Sequence, residues 1–163
     1  SEGSRIPIDG IQLFSKESNV YFSEPFSSAV YELTSNKLDT SFRFDFGEYA
    51  FAEDFYAGDA MQIFLQLRKS GFFTILRYFE NKTHAYFFIE SQMPPNTVSQ
   101  QNLLIDKSNP GDPITFNETD EEVYAGGAVG LTESGQLIFP VIVEGQINGS
   151  QAEVLQLHFV EAE

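Results

Sequence analysis

Short apolar segments separated by polar turns recur along the chain. Between Phe42 and Phe46, aromatic residues alternate with Arg43 and Asp45, the period of two expected for a half-buried strand. We therefore expect Phe42, Phe44 and Phe46 to lie on one buried face, in antiparallel sheets of up to four strands. The other predicted strands are Ile11–Ser15, Val20–Ser23, Ala29–Thr34, Phe72–Phe79, Thr83–Glu90, Asn102–Asp106, Ile114–Phe116, Ala128–Thr132, Gln136–Glu144 and Glu153–Val160.

Turn residues separate these strands. Asn81 and Lys82 predict a tight turn, Glu133-Ser134-Gly135 the turn of a hairpin, and residues 145–150 a further turn region. Pro94-Pro95-Asn96 predicts a rigid loop, and residues 107–122 a long exposed loop that contains one short strand.

The stretch Glu53–Lys69 has a different period. Apolar residues at i, i+3, i+4 and i+7 predict a short helix inserted between sheets, closed by Ser70-Gly71. The competing interpretation makes Gln62–Leu67 a strand. The predicted apolar stripe consists of Met61, Phe64, Leu65 and the stem of Arg68.

Composition supports an all-β chain and excludes some partners. Aromatic residues make up 15% of the sequence, a load typical of strands packed face to face. The net charge is −15, and no basic residue follows Lys107, so nucleic acid and anionic lipid surfaces are excluded as partners. No cysteine is present, which removes disulfides and thiolate chemistry, and no apolar run is long enough to span a bilayer. We expect any lipid anchor to lie upstream of this sequence.

Candidate chemistry is sparse, and we predict no catalytic, cofactor-binding or metal-binding residue. His84 and His158 have no companion ligands at zinc-site spacing and are interpreted as structural or surface residues. Gly126-Gly127 is too short to hold a phosphate and is expected to shape a turn. The oxygen ligands Asp106, Asn109, Asp112, Glu118 and Asp120 do not match a calcium loop, and a solvated acidic loop is the favoured interpretation. Phe51, Phe55 and Tyr56 are expected to pack the helix against a sheet, with a sugar-stacking or protein-binding patch as the alternative.

Several of these segments resemble a known family. They are Val20-Tyr21-Phe22, Val30-Tyr31-Glu32-Leu33, Phe44-Asp45-Phe46-Gly47, Tyr78-Phe79-Glu80-Asn81, Ala85-Tyr86-Phe87-Phe88 and Leu104-Ile105-Asp106-Lys107. Their aromatic and turn pattern resembles the C-terminal half of the six-bladed β-propeller lipoproteins of Bacteroidota. The chain departs from that pattern at Gln151-Ala152-Glu153, where the family has an Asn-Pro turn.

The resemblance implies four-stranded antiparallel blades, in sections of about residues 1–50, 70–107 and 125–163, with a β-sandwich as the alternative. Because two or three blades do not close a ring, we expect exposed apolar surface, covered by the upstream half of the same propeller or by a partner protein. The implied function is non-catalytic binding or scaffolding in the outer-membrane region of the cell envelope. The alternatives are an accessory subunit of an outer-membrane nutrient transporter and a glycan lyase or hydrolase.

Overall fold

The computed structural model describes residues 12–16, 19–50, 59–94, 97–116, 127–147 and 150–161. These residues form three antiparallel sheets and one α-helix, which confirms the predicted all-β class, the strand direction and the limit of four strands per sheet. The strands are β1 Gln12–Lys16, β2 Asn19–Ser23, β3 Ala29–Thr34, β4 Lys37–Arg43, β5 Phe72–Glu80, β6 His84–Met93, β7 Thr97–Asp106, β8 Ile114–Phe116, β9 Gly130–Leu131, β10 Leu137–Ile147 and β11 Ser150–Val160; the helix is α1 Ala60–Ser70.

The chain separates into two compact units. The first comprises Ser1–Arg77 and Ile89–Gln100, and the second comprises Tyr78–Phe88 and Gln101–Glu163. The first unit contains the sheet β1-β2-β3-β4, and the second contains the sheet β11-β10-β9. The sheet β5-β6-β7-β8 contributes residues to both units.

The alternation of sides predicted around Phe44 is confirmed, and the face that carries the phenylalanines is half-buried. Phe42, Phe44 and Phe46 are half-buried, whereas Arg43 and Asp45 are exposed. The strand also ends earlier than the pattern predicted, since β4 stops at Arg43.

Stacking explains the half-burial of these phenylalanines. The rings of Phe44 and Phe46 are parallel, with centroids 5.5 Å apart, and Phe46 stacks on Phe73 at 4.6 Å. Such stacks bury the ring faces against each other and leave ring edges accessible. Gly47, whose φ of 55° favours glycine, then begins a 3₁₀ turn, Gly47–Tyr49.

The helix prediction is confirmed, and the alternative strand at Gln62–Leu67 is wrong. The carboxylate of Asp59 accepts hydrogen bonds from the backbone N–H groups of Met61 and Gln62, which fixes the start of α1. Gly71 ends the helix with a φ of 77°, a conformation that other residues rarely adopt. Residues 53–58, at the predicted start, lie outside the described residues.

The predicted apolar stripe of α1 is wrong. Met61 is exposed and Leu65 is 57% exposed, whereas Leu67 is only 7% exposed and Ile63 is half-buried. A shift of two positions turns a helical residue by roughly 200°, so the buried row 63/67 lies nearly opposite the predicted row 61/65. The side chains of Phe64 and Arg68 lie outside the described residues.

Strand β6 is buried on both faces. Its five consecutive residues Ala85–Ile89 are all buried, so neither face of this segment meets solvent, unlike a strand of alternating burial. The predicted turn at Asn81 and Lys82 connects it to β5. Ile114–Phe116 is confirmed as a short strand, paired with residues 102–104 of β7. The predicted Pro94–Asn96 loop is described only at Pro94, a turn residue.

The hairpin predicted near the end of the chain is confirmed, with different bounds. β10 pairs antiparallel with β9 and with β11, and the ladder to β11 runs unbroken from Leu137 opposite Val160 to Ile147 opposite Ser150. The predicted turn at residues 145–150 is therefore wrong in extent. Gly145 takes an ordinary ladder position opposite Ala152, and only residues 148–149 of the predicted turn lie outside the described residues.

We predict that the two faces of α1 differ sharply in their response to truncation. Leu67→Ala should lower the free energy of unfolding by about 2–4 kcal/mol, because it leaves a cavity in the core. The matched control Leu65→Ala should change it by less than about 0.5 kcal/mol, since that side chain is exposed. Urea unfolding followed by circular dichroism measures both, and equal losses would contradict the described orientation of the helix.

Candidate binding surface

The two histidines lie on different strands and have local partners. Nδ1 of His84, on β6, lies 2.8 Å from the Thr83 hydroxyl, and Nε2 of His158, on β11, lies 3.4 Å from the Gln156 side-chain oxygen. Among the residues that the structure describes, no group of three histidines or carboxylates is arranged to hold a metal ion.

The acidic loop after β7 is organised by hydrogen bonds within the loop. Oδ1 of Asp106 accepts from both the backbone N–H and the hydroxyl of Ser108, each at 2.8 Å. These bonds, with a smaller contribution from His84, lower the pKa of Asp106. Asn109 and Asp112 continue the turn through backbone bonds. Glu118 and Asp120, and the predicted aromatic patch Phe51, Phe55 and Tyr56, lie outside the described residues.

Asn81, in the second unit, is a buried polar side chain with several hydrogen bonds. It is buried, its Nδ2 donates to the Thr132 carbonyl at 2.8 Å, and its Oδ1 accepts from the backbone N–H groups of Thr83 and His84. Buried amides without such partners are strongly destabilising. Asn81 therefore ties the turn between β5 and β6 to the loop between β9 and β10.

An ion pair supports the same turn. Nζ of Lys107 lies 2.6 Å from Oε2 of Glu80 and donates to the Asn81 carbonyl at 2.8 Å. The hydroxyl of Tyr78 donates to the same carboxylate oxygen at 2.7 Å. Lys107 and Tyr78 both direct their polar groups onto Glu80 beside this turn, so we assign the cluster a structural role.

A buried tyrosine fixes the start of β9, the first strand along the chain of the β11-β10-β9 sheet. The hydroxyl of Tyr86, on β6, donates to Oδ1 of Asn102 at 2.5 Å and accepts the Ala128 N–H at 2.7 Å. Gly127 has a φ of 75°, and a Cβ there would lie 2.6 Å from Cγ of Phe88. Only glycine therefore allows the backbone before β9 to approach β6 this closely.

Where its side chains are described, the β10–β11 hairpin carries apolar residues on both faces, and one of these faces is covered. Leu137 and Phe139, two residues apart on β10, are buried. His158 lies opposite Phe139 in the ladder and is half-buried on the same face. This inner face forms part of the core of the second unit.

The opposite face of the hairpin is exposed. Leu155, Leu157 and Phe159 alternate along β11 and are 63%, 55% and 57% exposed. Pro140 lies opposite Leu157 and Ile138 opposite Phe159, and both are half-buried. Because directly opposed residues share a sheet face, these five side chains form one surface, which we call the outer apolar face.

The sequence pattern had missed this surface. The sequence predicts a strand over Glu153–Val160 but does not assign its apolar residues to an exposed face. The signal that could have found the face is the row Leu155, Leu157 and Phe159 beside an equally apolar β10.

No family model, curated protein or solved structure matches the chain in comparisons with known proteins. In the described ranges, no helix has the length and apolar character needed to cross a bilayer; α1 has only 11 residues.

Removal of the Tyr86 hydroxyl should loosen the start of β9. Tyr86→Phe leaves the Ala128 N–H without its acceptor and Asn102 without a donor, so we expect a loss of about 1–3 kcal/mol in the free energy of unfolding. Hydrogen exchange at the Ala128 amide should accelerate. The matched control Tyr49→Phe removes a hydroxyl outside this network and should leave that amide unaffected; equal exchange in both variants would contradict the role of Tyr86.

The Asp106 turn makes a prediction about pH. Ser108→Ala removes one of the two donors to the carboxylate, so the pKa of Asp106 should rise toward its ordinary range, while Ser108→Thr should preserve it. Because the pKa of Asp106 is lower in the folded protein, its carboxylate stabilises the folded state at pH values above the pKa that it has in the unfolded chain. This stabilisation is lost as the pH falls through the pKa that Asp106 has in the folded state. Carboxyl-carbon NMR titration of Asp106 measures the shift; an unchanged pKa in Ser108→Ala would contradict it.

Proposed function

We propose that this chain is a non-catalytic binding or scaffolding section of a β-propeller of the bacterial cell envelope, and that it binds a partner through the outer apolar face of β10–β11. The observation that carries the proposal is this face, which three large exposed side chains of β11 dominate. The envelope location rests on the resemblance of the blade segments to the Bacteroidota lipoproteins.

Strand order supports a propeller over a sandwich. Each of the three sheets contains consecutive strands in meander order: β1-β2-β3-β4, β5-β6-β7-β8 and β11-β10-β9. The blades of propellers are meanders of this kind. The usual β-sandwich has Greek-key connections, which place non-consecutive strands side by side. Sheets of three and four strands are also the size of blades.

Exposure on the outer apolar face supports a binding role. Single exposed apolar residues are common on protein surfaces, but contiguous apolar patches mark sites of interaction. Here Leu155, Leu157 and Phe159 succeed one another on one side of a single strand, next to Ile138 and Pro140 of its neighbour. A partner that covers this row removes apolar area from water, which is the main driving force of association.

The proposal predicts that the outer face contributes little to the stability of the chain itself. The double variant Leu155→Thr/Leu157→Thr should change the free energy of unfolding by less than about 1 kcal/mol, because both side chains are exposed and threonine suits a strand. The matched control Phe139→Ala, on the inner face, should cost about 3–5 kcal/mol. The double variant should also bind less of a fluorescent dye that reports apolar surface.

Two results would contradict the proposal. A loss near that of Phe139→Ala in the double variant would mean that the outer face is core rather than binding surface. Turnover of a polysaccharide panel by the protein, abolished by a single carboxylate substitution, would contradict the non-catalytic role.

A further inference from the structure

The outer edge of β11 is open. β11 is the last strand in the order β11-β10-β9, and no strand in the described ranges pairs with its other edge. An open edge carries a row of backbone N–H and C=O groups that can pair with another chain.

The backbone groups that point outward belong to the exposed apolar residues. The Ile138 carbonyl accepts the Val129 N–H at 2.7 Å, so the polar groups of Ile138 point toward β9 and away from β11. Ile138 and Phe159 are therefore a non-hydrogen-bonded pair, in which the N–H and C=O of both residues point away from each other. Because this direction repeats every second residue, the polar groups of Leu157 and Leu155 also point to the open edge.

The composition of β11 leaves this edge unprotected. Residues 154–160 contain no charged residue, proline or glycine, whereas natural edge strands are usually blocked by lysine, proline, a bulge or an inward-pointing charge. A strand that pairs here would also lay its side chains beside the apolar row. Edge and face thus form a continuous surface for one extended segment.

Charge at the ends of this segment argues against a second copy as the occupant. Glu153 and Glu161 flank the uncharged stretch, and no lysine or arginine follows Lys107. Twofold pairing of two β11 strands centred on Leu157 would place Glu153 of each copy opposite Glu161 of the other. Like charges directly opposed across a strand pair are destabilising.

We propose that the occupant is an extended segment of a partner protein, apolar at alternate positions and carrying lysine or arginine at both ends, which adds as a strand to the open edge of β11. Its backbone pairs with Leu155, Leu157 and Phe159, and its basic ends lie near Glu153 and Glu161. The proposal rests on the proposed function, because it names the partner of the outer apolar face.

A synthetic peptide tests this directly. The probe is Lys-Lys-Val-Thr-Val-Thr-Val-Lys-Lys with a fluorophore, titrated with the full chain and followed by anisotropy. The matched control peptide has glutamate in place of every lysine. We expect the lysine peptide to bind at least about 10-fold more tightly at low salt, with the difference shrinking as salt is raised.

Proline substitution separates edge pairing from face packing. Leu157→Pro removes an outward-pointing N–H without removing a ladder bond to β10, a position at which edge strands tolerate proline. This substitution should lower the affinity for the lysine peptide at least about 10-fold. Leu157→Thr, which keeps the N–H, should lower that affinity less. Peptides N-methylated on both threonines or on all three valines repeat the test with the wild-type chain, in case Leu157→Pro fails to fold. Methylation of one set, the one whose N–H groups face β11, should abolish binding.

The outcomes distinguish this proposal from the broader one. If both methylated peptides bind normally while Leu155→Thr/Leu157→Thr loses binding, strand addition is overturned but binding through the outer apolar face stands. Equal affinity of the lysine and glutamate peptides would overturn the proposal that the partner segment is basic. A concentration-dependent dimer that Leu157→Pro dissociates would assign the edge to a second copy, and absence of binding by any peptide would also overturn the proposal. Failure of the proposed function is read separately, from the stability of the double threonine variant.

Discussion

Burial of β6 on both faces is the constraint from which the organisation of the second unit follows. Tyr78 packs against Phe87 on one side of the strand, and Phe79 packs against Tyr86 on the other. Tyr86 brings a hydroxyl into this apolar environment, where it must be paired. The hydroxyl pairs with the Ala128 N–H and with Asn102. These hydrogen bonds of one buried tyrosine therefore fix the start of β9.

The two faces of the β11-β10-β9 sheet differ in how they are covered. Both faces of β10–β11 carry apolar residues where side chains are described, but only the face with Leu137 and Phe139 is buried. The outer apolar face is left exposed by the described residues and is available for association. We propose that this exposed apolar surface is the part of the chain that binds a partner. The polar clusters around Asn81 and Lys107 instead hold the scaffold that presents it.

Acidity shapes which partners can use that surface. With a net charge of −15 and no basic residue after Lys107, the environment of β11 favours a basic partner and disfavours a second copy. In the proposed complex, the uncharged stretch of residues 154–160 would supply contact area, and the flanking Glu153 and Glu161 would supply selectivity. Affinity and specificity would therefore come from different residues of one strand.

Local pattern determined the kinds of element and most of their positions. Three signals depend only on backbone preferences and neighbouring residues, and can therefore be read from the sequence. They are the alternation at Phe42–Phe46, the turn residues Asn81 and Lys82, and the glycine that ends α1. The same information located Ile114–Phe116 and the last hairpin. It gave the wrong turn at residues 145–150, because a glycine there is read as a breaker when only cross-strand pairing shows that it lies in a ladder.

Tertiary structure decided which apolar faces are covered. The sequence shows two apolar rows on α1 and two in the β10–β11 hairpin, and nothing local distinguishes Leu65 from Leu67 or Leu157 from Phe139. Burial depends on which residues distant in the chain pack against each row, and on the pairing register that assigns a residue to a face. For this reason the candidate binding surface became identifiable only from the fold, although every residue in it was visible in the sequence.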